Sequence, residues 1–155
     1  MRAWFGLVVV LSFAPGLGCK SLTEGECQRL AAGAKPVLTR VREHLGAIAQ
    51  ALPTTDFTRG RDSARALAEQ LATDLGALEQ VDPKQERLRT AWRGLTGELV
   101  EMRLALGNIA NAYESLRVEA ADSRAADELR AELEHLRQSM NDYAKAGKEF
   151  DGLCR

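Results

Sequence analysis

The chain has 155 residues, 45% of them hydrophobic and 28% charged, with aromatics at 5%. That length suits one domain, since two would each be short of core, and the ordinary apolar and charged shares exclude general disorder. The 21 Lys+Arg nearly balance 22 Asp+Glu, which leaves no electrostatic footprint for nucleic acid.

Met1-Arg2 is a minimal positive start, Ala3 to Phe13 is almost wholly apolar, and Ala14-Pro15-Gly16-Leu17-Gly18 leads into Cys19. This is the layout of an export signal, with a charged start, a short apolar stretch and small residues before the cut. Pro15 and Gly16 interrupt the apolar run before it is long enough to span a bilayer comfortably. A plain signal peptide cut near Gly18, or a short membrane anchor, would share this layout.

The four residues Gly16-Leu17-Gly18-Cys19 resemble the lipobox of bacterial lipoproteins, in which signal peptidase II cuts before a lipid-modified cysteine. Gly18 and Cys19 match that pattern, and Gly16 stands where the family usually has leucine. The resemblance covers residues 1–20 and implies a signal peptide over 1–18, with Cys19 as an acylated N-terminus carrying palmitate-type chains. Residues 19–22 would then be a short tether and 23–155 the folded domain. Two or more acyl chains suffice for stable anchoring. Lys20 after the cysteine, rather than Asp, resembles the enteric signal for the outer membrane, facing the periplasm. Loss of Met1–Gly18 removes only Arg2 from the charge count, so the remaining domain is about neutral.

Four helices follow from the punctuation. Thr23-Glu24-Gly25-Glu26 predicts a capping box, with Leu22 and Cys27 at the positions of a hydrophobic staple. Apolar residues then recur at Cys27, Leu30, Ala34, Val37, Val41, Leu45, Ile48 and Leu52. Pro36 falls inside this run and predicts a kink or split beside Gly33. The helix should end near Pro53-Thr54-Thr55.

A second helix is predicted from Thr58 or Asp62 to Val81, with Ala64, Leu67, Leu71, Leu75, Leu78 and Val81 on one face. Asp82-Pro83-Lys84-Gln85 then reads as N-cap, first helical residue and box partner of a third helix. Its apolar positions, from Leu88 and Trp92 to Tyr113 and Leu116, alternate steps of four and three, the seam of left-handed bundle packing. A fourth seam runs through Leu129, Leu133, Leu136, Met140, Tyr143, Gly147, Phe150 and Cys154. The phase is lost at about 119–123, which predicts a turn capped by Asp122 or Ser123. Together these elements predict an all-α, antiparallel up-down four-helix bundle with coiled-coil-like seams. Since no Gly or Pro marks the turn, the alternative is one rod over 84–152.

Cys27 lies on the first seam and Cys154 on the fourth, and an up-down bundle brings those positions to one end. A disulfide between them is expected in an oxidising exported setting, and would need Cα atoms about 5.5 Å apart. In a rod, Cys154 could not reach Cys27 of the same chain.

No catalytic constellation is apparent. Glu132 and His135 have the Glu-x-x-His spacing of carboxylate-bridged metal bundles, but the only other histidine, His44, has Val41 three residues before it. Three or four zinc ligands are lacking, as are a Cys-x-x-Cys-His haem motif, a Gly-x-Ser-x-Gly elbow and a Gly-rich phosphate loop. No metal and no cofactor are therefore expected. Gly94 and Gly97 fall inside the third helix, where they either admit a close neighbour or soften the helix. Arg59, Arg61 and Arg65, near Phe57, read either as a solvated helix start or as a contact for an acidic partner or peptidoglycan. The expected function is a non-catalytic interaction or structural module of the bacterial envelope, attached to the membrane by lipid and docking to an envelope protein. A periplasmic small-ligand-binding or sensor bundle is the alternative, and a holdase chaperone a weaker one.

Overall fold

A computed structural model describes residues 22–154, with side chains from Gly25 onward. The signal-like segment, Cys19, residues 20–21 of the tether and the side chains of Leu22, Thr23 and Glu24 lie outside the described residues, while the backbone of Leu22, expected in the tether, already belongs to the first helix. The chain forms four helices, α1 (Leu22–Ala51), α2 (Phe57–Leu78), α3 (Glu86–Val118) and α4 (Ser123–Leu153). Short loops join successive helices, so the chain runs up, down, up and down. No helix among the described residues is long and apolar enough to cross a membrane.

The break between α3 and α4 is made without glycine. Glu119 leaves the helix in an extended conformation while its N–H still bonds to the Ser115 carbonyl at 2.9 Å. Asp122 is also extended, and its carboxylate accepts from the Ala125 N–H at 3.0 Å, capping α4. Two ordinary backbone conformations and one aspartate cap thus turn the chain, and the single rod is excluded.

Several local expectations are corrected. Helix α1 runs through Pro36 without a split. Pro36 and Ala32, whose carbonyl loses its partner, both lie on the exposed side of α1, where water can satisfy that oxygen. Helix α2 begins earlier than expected and ends three residues sooner, with Asp56 as N-cap accepting from the Arg59 N–H at 3.0 Å. Asp82 does not cap α3; the helix starts at Glu86, and Gln85 occupies the cap without a side-chain bond. Pro83 is instead buried in the connection. Glu26, read from sequence as a local box partner, is buried and bonds across the bundle to the N–H groups of Lys84 and Gln85. A carboxylate from α1 therefore serves the donors ahead of α3, which its own residues leave unmet.

Helix α3 is the spine. Its whole seam from Leu88 to Leu116 is buried, together with Ala105, Ala110 and Ala112. Each large side chain taken out of water contributes roughly 1.5–3 kcal/mol before the cost of ordering it. Helix α3 packs closely along both α2 and α4, whereas α1 packs chiefly on α2 and makes little close backbone contact with α4. The stand-off shows on α4, where Leu133 and Met140 are only half-buried although the seam pattern treats them as equals of Leu136 and Tyr143. At one end the ring is closed covalently. Cys27 and Cys154 are disulfide-bonded with Cα atoms 5.5 Å apart. Trp92 and Phe150 pack in the core, ring centroids 5.5 Å apart.

Candidate functional site

Three polar clusters and one groove stand out against the apolar core. The most buried cluster links α1 to α2. Asp74 lies at a core position with its side chain 2% exposed, and its Oδ1 accepts from Arg40 Nε at 3.0 Å. Arg40 Nη2 also approaches Oδ1 to 3.0 Å, while half of the arginine side chain remains in solvent. His44, one turn further along α1, places Nδ1 3.0 Å from Asp74 Oδ2, off the line along which a ring N–H would point. A carboxylate so placed is tolerable only because a guanidinium reaches it from the surface.

The second cluster staples the α1–α2 loop to α3. Tyr113 is fully buried, and its hydroxyl accepts from the Thr54 N–H at 3.1 Å and donates to the Thr54 carbonyl at 3.4 Å. Burial pushes the Tyr113 phenol up, with the Thr54 bond acting the other way. Beside it, Glu114 accepts from Arg61 Nη1 at 2.8 Å and from Arg117 at 2.7 and 3.0 Å. Hydrogen bonds from Arg117 first and Arg61 second hold the Glu114 carboxyl down at about 2.

The residues proposed from sequence as a partner contact divide here. Phe57 is half-buried against Tyr113, ring centroids 6.4 Å apart, and Arg61 is engaged by Asp62 and Glu114. Arg59 and Arg65 have exposed side chains. The four do not form one open surface.

The third cluster lies between α3 and α4. His135 Nδ1 is 3.6 Å from Glu132 and its Nε2 is 3.9 Å from Glu101. Asn108 donates to Glu132 at 3.1 Å. Glu98 nearby is pushed up, first by partial burial and then by the charges of Asp142 and Glu101. Among the described residues no three His, Cys, Asp or Glu side chains converge in a way that could hold a metal ion. Both imidazoles face carboxylates.

A narrow apolar groove follows the gap between α1 and α4, lined by Ile48, Ala49 and Leu52 on one side and Leu133, Leu136 and Met140 on the other. It is a shallow crease that encloses far less space than the roughly 300–1,000 Å³ of sites that hold small ligands. On the outer side of α3, Val100 and Leu104 are 37% and 49% exposed. Gly94, Gly97 and Gly107 on the same helix have nothing within 4 Å of where a β-carbon would stand. The close neighbour that Gly94 and Gly97 could have admitted is absent among the described residues.

Comparison with known proteins gives no family. No family model, curated protein or solved structure matches the chain. Its functional reading therefore rests on its own residues.

Asp74, Glu114 and the cross-bundle role of Glu26 went unread in the sequence. Asp74 carried a usable signal, since Leu71, Asp74 and Leu78 are spaced by three and four like the other seams. Stepping from Leu71 to Leu75 passed over it. Glu114 had no such mark, because its partner Arg61 is 53 residues away.

Proposed function

We propose that this chain is a lipid-anchored helical bundle of the bacterial envelope, attached through Cys19 and acting by binding an envelope protein rather than by catalysis. The observation that carries the reading is the run Gly16-Leu17-Gly18-Cys19 behind an apolar stretch, three residues ahead of the helix that opens the bundle at Leu22. A disulfide joining the first and last helical regions supports export, because such bonds persist in oxidising compartments. The polar clusters support the non-catalytic half of the reading, since each contributes a hydrogen bond that ties one helix to another. Outer-membrane residence rests on Lys20.

Metabolic labelling with an alkyne palmitate analogue in a bacterial host tests the anchor. Label on the wild type that is lost in Cys19→Ala is the expected result, and an unlabelled, fully released wild type would overturn it. Cross-linking in the membrane followed by pull-down tests the partner. One dominant envelope protein, lost with the anchor in Cys19→Ala, is expected; capture of nothing but further copies of this chain would overturn the docking half.

A further inference from the structure

The two halves of α1 are held in different ways. From Val37 onward, α1 buries Val37, Leu38, Val41 and Ile48, with Leu52 buried just past its end, and Arg40 reaches Asp74 on α2. Just beyond its end, Thr54 is bonded on both sides to Tyr113. Before Pro36 the attachment is thin: Leu30 is the one large buried aliphatic side chain among the described residues, with Ala34 small beside it. Among the described residues, this stretch is held further by the Cys27–Cys154 bond and the Glu26 carboxylate on the Lys84 and Gln85 N–H groups.

The same stretch is a poor helix by composition. Gly25 and Gly33 lie within it, neither required by a close neighbour, and Pro36 removes one helical hydrogen bond at its far edge. Because α1 and α4 make little close backbone contact, the disulfide gives this stretch a covalent link to the end of the last helix.

We propose that the Cys27–Cys154 bond holds residues 25–35 folded on the bundle, and that its reduction releases them as a linker hinged at Pro36 while residues 37–51 stay packed. The reductant is a small dithiol. It gives two electrons and two protons to the sulfur–sulfur bond, leaves as its own disulfide, and Cys27 and Cys154 become thiols. Released, a stretch about 16 Å long as a helix extends to roughly 36–40 Å. With the anchor placed at Cys19, this lengthens the reach of the bundle from its membrane; that consequence rests on the proposed function, whereas the release does not.

Hydrogen exchange on the full-length chain, oxidised and after dithiothreitol, tests the device whether or not Cys19 carries lipid. Amides of residues 25–35 should exchange at least tenfold faster after reduction, with those of residues 37–51 and of α3 changed less than threefold. The double variant Cys27→Ser/Cys154→Ser should reproduce the reduced pattern without reductant. In a Pro36→Ala variant the boundary at Pro36 should blur. Unchanged exchange in residues 25–35, or equal loss of protection across all four helices, would overturn the proposal.

Discussion

Gly60 lies against the hydroxyl end of the Tyr113 ring, so closely that a β-carbon would stand 2.7 Å from ring atoms Cε2 and Cζ. The hydroxyl of that ring is bonded to both backbone groups of Thr54. The ring therefore cannot retreat without loosening the α1–α2 loop. Glycine at position 60 is a packing requirement set by a residue 53 positions later in the chain.

Gly60→Ala should destabilise the protein by about 1–3 kcal/mol, the usual range for forcing atoms into a packed site. The ~1 kcal/mol that alanine adds to helix stability reduces this without reversing it. Gly97→Ala provides the opposite sign. Gly97 is exposed and nothing stands within 4 Å of its added carbon, so stabilisation of up to ~1 kcal/mol is expected. Urea unfolding of both variants checks the pair, and two shifts in the same direction would contradict the packing account.

The Arg40–Asp74 link should respond unequally to its two halves. Arg40→Ala leaves the Asp74 carboxylate buried without its cation and is expected to cost about 1–3 kcal/mol. Asp74→Leu fills the core position with apolar volume, and the half-exposed Arg40 side chain can return to water. The cost there should be near zero, or the change stabilising. Equal losses in denaturant unfolding would show instead that Asp74 is required in its own right.

Both tyrosines of the chain should titrate late. Burial pushes Tyr143 up to about 12 and raises Tyr113 as well. An unfolded tyrosine ionises near pH 10, so the unfolded state loses protons first as pH rises. The stability these neutral phenols contribute is whole below about pH 10 and is lost as pH rises toward 12. Phenolate absorbance should therefore stay low at pH 10.5 in the folded protein and appear with unfolding. Half-ionisation near pH 10 with helicity intact would refute this.

Acid should act on the opposite end of the scale through Glu114. Its folded value of about 2 lies below the unfolded carboxylate value near 4.3. The contribution is therefore present above about pH 4.3 and lost as pH falls toward 2. Glu114→Gln should flatten the fall of the urea midpoint between pH 5 and pH 3, by a modest amount because the group is solvent-screened. An unchanged slope would count against the Arg61–Glu114–Arg117 cluster as a source of acid sensitivity.

How much of this was legible differs from helix to helix. The α3 seam was readable throughout, since each of its positions is buried on a helix packed on two sides. The α4 seam was readable in register but not in degree, because Leu133 and Met140 line the groove where α1 stands off and stay half-buried. Phe57 and Arg61 looked alike with Arg59 and Arg65 as a cluster in sequence, yet they are engaged by Tyr113 and Glu114 from α3. Neighbours brought from another helix leave no trace in local spacing.

By itself, the sequence determined the helical class and the apolar seams, and it offered the turn near 119–123 and the meeting of Cys27 with Cys154 against a single rod, a choice the folded structure makes. These follow from hydrophobic period, capping chemistry and the alternation of an up-down chain, all of which act over a few residues or through chain direction. The tertiary structure alone decided which polar side chains bridge helices: Glu26 to the start of α3, Arg40 to Asp74, Arg61 to Glu114. It also decided that α3 is the spine and that α1 packs with its backbone apart from α4. Those outcomes depend on side-chain volumes and charges meeting across gaps between helices, where separation in space is set by packing and not by distance along the chain.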